Sequence, residues 1–352
     1  DYGGSLKDFP LVDLAASVVA EAIKRADVDA SKIGQVVMGN VIHTDPRDMY
    51  LSRYAAVKGG IPIETPAYTL NRLCGSGLQA IVCAAQSILC GDTDIALGGG
   101  AESMSQSQYW LPSMRWGQRM NDGQVIDAMV GALSDPFDSC HMGVTAENVA
   151  SRWEISREEQ DQLAVVSHQR AHRATEEGYF IEQILPISIK HRKQTISYEK
   201  DEHIRSDATI EGMAKLKTVF KEDGSVTAGN ASGLNDAASA VILMEHSETE
   251  KEGKEILGRL VGYSHSGVDP KCMGIGPVPA IQKCLESTGL TVKDMDVIEL
   301  NEAFAAQALA VARDLNLPMD RTNPNGSGIS LGHPIGATGC LITVSYTHLT
   351  LP

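Results

Sequence analysis

The feature that most restricts the fold of this chain is a repeated exchange between two hydrophobic periods. Residues 11–26 carry apolar side chains at helical spacing through Leu14, Val18, Ala22 and Ile23, and the β-rich run 35–42 follows. Residues 67–73 read as a strand entering a turn, 78–90 as an apolar helix, and 94–98 as a short buried strand. Such alternation implies an α/β fold with a parallel-rich sheet. A helix-then-strand unit returns at 280–301, where the helix at 280–285 leads to a strand at 297–301; its order echoes residues 22–40, and each unit ends in Asn. Gly75-Ser76-Gly77 likewise recurs as Gly326-Ser327-Gly328, so the chain is read as two similar halves.

Between the halves, residues 106–228 are rich in Met, charged and loop-forming residues, and they read as a loop domain capping the core. Within it, Ser156-Arg157-Glu158-Glu159 is a capping box that opens a structural helix toward His172. The expected organisation is 1–105 as the first part of the N-terminal half, 106–228 as the loop domain, 229–245 as a return to the N-terminal half and 246–344 as the C-terminal half. Residues 345–352 stand apart as an atypical tail.

The net charge of −15 argues against general affinity for nucleic acid or anionic membranes, which need basic clusters. Seven cysteines with no C-x-x-C pair suggest neither a disulfide framework nor a zinc knuckle, and a reducing, cytoplasmic compartment is expected. No run approaches the roughly 20 apolar residues of a membrane span, and no signal peptide is expected before the first helix.

Three motifs carry chemistry. Cys74 sits in Asn71-Arg72-Leu73-Cys74-Gly75-Ser76-Gly77, and far downstream come Asn301-Glu302-Ala303-Phe304 and Gly332-His333-Pro334-Ile335-Gly336. A thiol placed before two small residues and an apolar helix meets unpaired N–H groups and the helix dipole, which lower its pKa toward the thiolate. His333 and Asn301 act on it only if the fold gathers all three loops. Each residue also has a plainer role: an inert buried thiol, a turn histidine, a helix-capping asparagine. Cys83, Cys90, Cys284 and Cys340 are assigned to the inert buried class. His141 in Cys140-His141-Met142-Gly143 lacks a second ligand at metal spacing, so no metal is expected. The small residues of Gly229-Asn230-Ala231-Ser232-Gly233 suit either a close approach to a ligand or a packed turn.

In combination these motifs closely resemble the thiolase family, over nearly the whole chain. The resemblance implies a fold of two similar βαβαβαββ halves with an inserted loop domain, and acyl transfer through coenzyme A thioesters. The loops at 140–143, 230–236 and 333–339 look like those of biosynthetic acetyl-CoA acetyltransferases rather than degradative 3-ketoacyl-CoA thiolases. By that likeness Cys74 is acylated, His333 helps generate the thiolate, and His333 with a water held by Asn301 forms one oxyanion hole. The backbone N–H of Cys74 serves the other. Pantetheine is placed near His141, Met142, Ser232, Gly233, Met273, Ala303 and Phe304, with Leu133, Phe220 and Ala231 lining the tunnel and Arg205 meeting the nucleotide end. Acetyl-CoA, acetoacetyl-CoA and CoA are the implied ligands, with no separate cofactor, and a homo-oligomer, dimer or tetramer, is implied.

The family also carries a second catalytic cysteine in a Cys-x-Gly-Gly loop, a motif absent from these 352 residues. Residues 345–352 do not resemble the continuation of the family helix, and their Thr-rich, Pro-terminated composition disfavours helix. Asp1 falls after the family's opening strand. The expectation is therefore a fragment truncated at both ends and impaired in condensation. Two other classes remain: a ketoacyl-synthase-type condensing enzyme, in which His precedes Asn, the reverse of the order here, and a non-catalytic thiolase-like binding protein.

Overall fold

The computed structural model describes residues 1–191 and 194–349. Its first helix, α1 (Leu11–Ala26), ends where Asp27 adopts φ 49° and donates to the Ile23 and Lys24 carbonyls. The face it buries runs through Leu11, Ala15 and Val19, flanked by Val12 and Ala16. Of the expected stripe Leu14 is buried, while Val18, Ala22 and Ile23 are half-buried and the buried face is displaced toward Val19. The displacement follows from α2 (Leu51–Lys58), whose C-terminal Gly59 packs so close to Val19 that a Cβ there would lie 2.5 Å from its Cγ1.

Four strands form the main sheet, β1 (Gln35–Gly39), β2 (Ala67–Leu70), β3 (Ile95–Ser103) and β4 (Asp236–Met244), in the order β2-β1-β3-β4. β1 is parallel to β2 and β3, while β4 returns after the 106–228 segment and runs antiparallel to β3. Alternation along β1 sorts its side chains. Val36 and Met38 face the core under α1 and α2, and Val37 faces the opposite layer with Ala80 and Ala84 of α3 (Ser76–Leu89).

Two strand boundaries differ from expectation. β1 stops at Gly39 rather than residue 42, because the Val41 and Ile42 N–H groups turn aside to the carboxylate of Glu102. β3 continues past Gly98 to Ser103, paired along its whole length with β4. Its glycines are a packing requirement: a Cβ on Gly98 would lie 2.8 Å from the Ile81 Cα, and one on Gly99 2.5 Å from the Ser239 carbonyl oxygen.

From the inserted segment, α4 (Met142–Arg152) and α5 (Arg157–Glu176) pack with α6 (Pro277–Thr288) and α7 (Ala305–Leu315) of the C-terminal part: α5, α6 and α7 share a core of Leu163, Val278, Leu300, Val311 and Ile329, and α4 joins α7 through Val149 and Ala310. The Ser156–Glu159 capping box opens α5 as its sequence requires. The strand expected at 297–301 is reduced to a parallel bridge between Ile298 and Thr322. Where the next rung would stand, the Asn323 side chain replaces a backbone: Oδ1 accepts from Leu300 N at 2.7 Å and Nδ2 donates to Leu300 O at 2.8 Å. Among the described residues the second half therefore does not repeat the first strand for strand.

The last helix, α8 (Thr338–Leu349), corrects the expectation of a non-helical tail. Thr343 and Thr347 turn their hydroxyls onto the Gly339 and Val344 carbonyls, both at 2.8 Å, and the helix packs on α3, so tertiary contact overrides weak propensity. Residues 350–352 of that expected tail lie outside the described residues. Among the described residues no helix is long and apolar enough to cross a membrane.

Candidate active site

Cys74 occupies the turn between β2 and α3. Leu73 enters the left-handed region at φ 44°, and Ser76 locks the turn by accepting from Arg72 N at 2.8 Å while donating to Leu73 O at 2.7 Å. Gly75 is the N-cap of α3, so the thiol stands at the helix start as expected. Its acidity is not as expected. Cys74 keeps accessible surface, yet the protein around its sulfur desolvates a charge there. Desolvation pushes the thiol up to about 11, outweighing its own backbone N–H, and the Glu102 carboxylate adds to the rise. The resting group is a thiol.

The His333 loop is laid directly against this turn. A Cβ on Gly77 would fall 2.7 Å from Cys340 N and 2.9 Å from Ala337 O, and one on Gly339 would fall 2.2 Å from Leu78 N. The first turns of α3 and α8 thus touch backbone to backbone, which only glycine at both positions permits. His333 itself is buried, and desolvation lowers its pKa to about 4, so the imidazole is neutral. Its tautomer follows from its neighbours. Thr338 donates its hydroxyl to Pro334 O at 3.0 Å and therefore accepts from His333 Nδ1 at 2.7 Å, leaving the lone pair on Nε2. Asn235 Oδ1 accepts from His333 N at 3.0 Å. Asn301 completes the group, with Nδ2 at 3.4 Å from each ring nitrogen of His333.

A second cluster lies around His141, the N-cap of α4, whose Nδ1 accepts from Gly143 N at 3.0 Å. Its ring stacks on Phe220 at 4.7 Å, and Phe220 meets Phe304 edge-on at 6.3 Å. Burial lowers the His141 pKa and favours its neutral form. Met142 N donates to Leu133 O at 2.8 Å, Ala231 bridges to Phe304, and Ser232 N donates to Ala303 O at 3.0 Å. Gly233 lies beneath His203, whose Cε1 would be 2.2 Å from a Cβ there. Met273 connects through its neighbour Gly274, which packs on Gln307, the acceptor for Ala303 N at 3.1 Å. Arg205 is not drawn into this cluster: 60% exposed, it pairs with Asp1 at 3.7 Å and donates its N–H to His168. Lys217 and Lys221 instead line the same shallow cavity, of about 510 Å³, as Phe220.

Of the four cysteines assigned to a buried class, only Cys340 is buried, pushed up to about 12 by desolvation. Cys90, at the C-terminal end of α3, is exposed. Sequence reasoning missed Thr338, Asn235 and Glu102; the first two stand in motifs already singled out, but nothing in the sequence marks them as partners of His333.

The chain matches the family models described as thiolase, N-terminal domain, over residues 1–247 and thiolase, C-terminal domain, over residues 254–350. It is 62% identical to beta-ketothiolase BktB of Cupriavidus necator, covering 99% of this chain and 88% of that protein. It is 46% identical to the acetyl-CoA acetyltransferase of Chromobacterium violaceum, covering 99% of this chain and 89% of the relative. Among solved structures, the Bacillus anthracis acetyl-CoA acetyltransferase superposes with a TM-score of 0.96 at 48% identity, covering 99% of this chain and 88% of the other. Human mitochondrial 3-ketoacyl-CoA thiolase in complex with CoA gives 0.95 at 45% identity, over 99% and 87%. The C-terminal match runs through residue 350, so the reading of an atypical tail from residue 345 is not borne out up to that residue.

Proposed function

This chain belongs to the thiolase family, and from that premise we propose that it is an acetyl-CoA C-acetyltransferase, joining two acetyl-CoA into acetoacetyl-CoA plus CoA and catalysing the reverse thiolysis. The observation that supports the proposal is the contact of the two helix starts, which brings the loop bearing a neutral imidazole against the turn bearing a protonated thiol.

A thiol at about 11 and an imidazole at about 4 do not form a resting ion pair. The Cys74 proton therefore moves to His333 Nε2 as Sγ attacks the thioester carbonyl, which is general-base catalysis. The carbonyl oxygen gains negative charge, and Nε2–H of the newly formed imidazolium, with Asn301 Nδ2 beside it, supplies donors where that charge develops. Collapse forms acetyl-Cys74 and breaks the bond to the CoA sulfur, which takes the proton back from Nε2 and leaves as CoA. In the condensation half, the enolate of a second acetyl-CoA attacks the acetyl thioester, giving acetoacetyl-CoA and free Cys74. Family likeness assigns the α-proton to a cysteine in a Cys-x-Gly-Gly loop, a motif these residues do not contain.

Pantetheine lies along Leu133, His141, Met142, Phe220, Ala231, Ser232, Gly233, Met273, Ala303 and Phe304, with support from the ring stack and from the pairing of 231–232 with 303–304. Lys217 and Lys221 offer the charge for the phosphates in place of Arg205. The exposed Tyr68, Leu73 and Leu78 along β2 and the start of α3 support a homo-oligomer.

The 62% identity to a beta-ketothiolase favours a second reading, in which longer 3-ketoacyl chains are cleaved as well. Thiolysis kinetics decide between them. A kcat/KM higher for acetoacetyl-CoA than for 3-ketooctanoyl-CoA is expected from the likeness of the loops at 140–143, 230–236 and 333–339 to biosynthetic acetyl-CoA acetyltransferases; the opposite ranking favours the long-chain reading.

A further inference from the structure

Glu102, on β3, is fully buried, and no basic side chain pairs with it among the described residues. Such a carboxylate is costly unless hydrogen bonds hold it. Four N–H donors do so. Oε1 accepts from Asn40 Nδ2 and Ile42 N, both at 3.0 Å, while Oε2 accepts from Val41 N at 3.1 Å and Gly336 N at 2.9 Å. One carboxylate therefore ties the exit of β1 to the loop that carries His333.

Around it the backbones are too close for any side chain to intervene. A Cβ on Gly336 would lie 2.6 Å from Glu102 Oε2, and one on Gly100 2.2 Å from Gly336 O. The same patch reaches the nucleophile's turn, since a Cβ on Gly39 would lie 2.7 Å from Ser76 C and 2.8 Å from Gly336 O. Glu102 thus stands under the point where the Cys74 turn, the end of β1 and the His333 loop converge.

We propose that Glu102 is the positioning residue of this site: by gripping Gly336 N–H together with the Val41 and Ile42 N–H groups, it sets where the His333 imidazole stands relative to Cys74. The proposal rests on the reading of Cys74 as the acylated nucleophile. Glu102 touches neither thiol nor substrate and acts through the loop. Burial pushes the Glu102 carboxyl up to about 8 while the N–H donors pull it down, and its ionised form opposes a thiolate at Cys74, so charge and reach must be tested apart.

The test compares wild type, Glu102→Asp and Glu102→Gln in thiolysis of acetoacetyl-CoA, with thermal melting to establish the folded fraction and the rate of Cys74 alkylation by iodoacetamide followed by peptide mass spectrometry. Asp keeps the charge but shortens the reach by one methylene. A displacement of about 1 Å costs on the order of 100-fold in rate, so folded Glu102→Asp should lose about that factor in kcat with KM little changed, and Cys74 alkylation should slow with it, since the protonated thiol needs the same base. Glu102→Gln, isosteric but accepting at one end only, should lose kcat to a similar degree. Wild-type kcat in either folded variant overturns the proposal, as does a loss that merely tracks the unfolded fraction. Cys74 alkylation at the wild-type rate in a folded variant that has lost turnover would also overturn it, because His333 would then still be in place to serve the thiol. Wild type that takes no acetyl group at Cys74 sinks the acyl-transfer reading instead, so the two failures are distinguishable.

Discussion

The two loops that meet at the active site are held by different physics. The Cys74 turn hangs from a sheet: β2 leads into it, β1 and β3 back it, and its local bonds are made by near neighbours such as Ser76. The His333 and Asn301 loops have almost no sheet behind them among the described residues. Side chains stand in for the ladder: Asn323 on Leu300, Asn235 and Thr338 on His333, Glu102 on Gly336. The place of Cys74, the proposed nucleophile, is thus a matter of packing, and that of His333, the proposed base, a matter of buried polar bonds, which lose the most when one partner is removed.

Removing the base should have the largest effect. His333→Ala is expected to lower kcat by about 10²- to 10⁴-fold with the fold intact, because the lost group is general base and oxyanion donor at once. Steady-state thiolysis and circular dichroism check both parts.

Breaking the packing side comes next. Gly339→Ala places a methyl 2.2 Å from Leu78 N, against backbone that has no rotamer with which to yield. Overpacking of this kind costs about 1–3 kcal/mol, so the melting temperature and activity should fall together. An unchanged melting temperature would mean that the helix starts are not in rigid contact.

On the polar side, Asn235→Ala leaves His333 N–H buried without its acceptor, a loss of about 1–3 kcal/mol. Thr338→Val preserves shape while removing the acceptor for Nδ1–H, and should cost less, about 0.5–1.5 kcal/mol. Both should reduce kcat more than KM in thiolysis. If Thr338→Val instead matched Gly339→Ala in lost stability, the contrast between a packed loop and a hydrogen-bonded loop would fail.

The same contrast explains what the sequence made legible. Local periodicity reports on helices and strands that bury one face, and α1, β1, β2 and α3 were read to within a few residues. Cys74, His333 and Asn301 stood out because each lies in a small-residue or strand-ending motif. Glu102 and Asn235 carried no such signal, since their partners lie 234 and 98 residues away along the chain. The strand expected to end at Gly98 runs on to Ser103 because glycine marks flexibility and close packing alike, and only the facing Ile81 and Ser239 backbones distinguish the two. The Cys74 pKa was misjudged for a related reason: the helix start is visible in sequence, but the protein that crowds it is not.

The central claim is that a neutral His333 draws the proton from a neutral Cys74 as acyl transfer begins. Single-turnover acetylation by acetyl-CoA, quenched in acid and mapped by peptide mass spectrometry across a pH series, tests it most directly. A group whose folded pKa is lowered from 6.5 to about 4 stays unprotonated well below neutrality, so acetyl should appear on the Cys74 peptide at a rate that holds through pH 6 and falls only as pH approaches 4. Acetyl on Cys83 or Cys90 in place of Cys74, or a rate already halved near pH 6.5, would contradict the account.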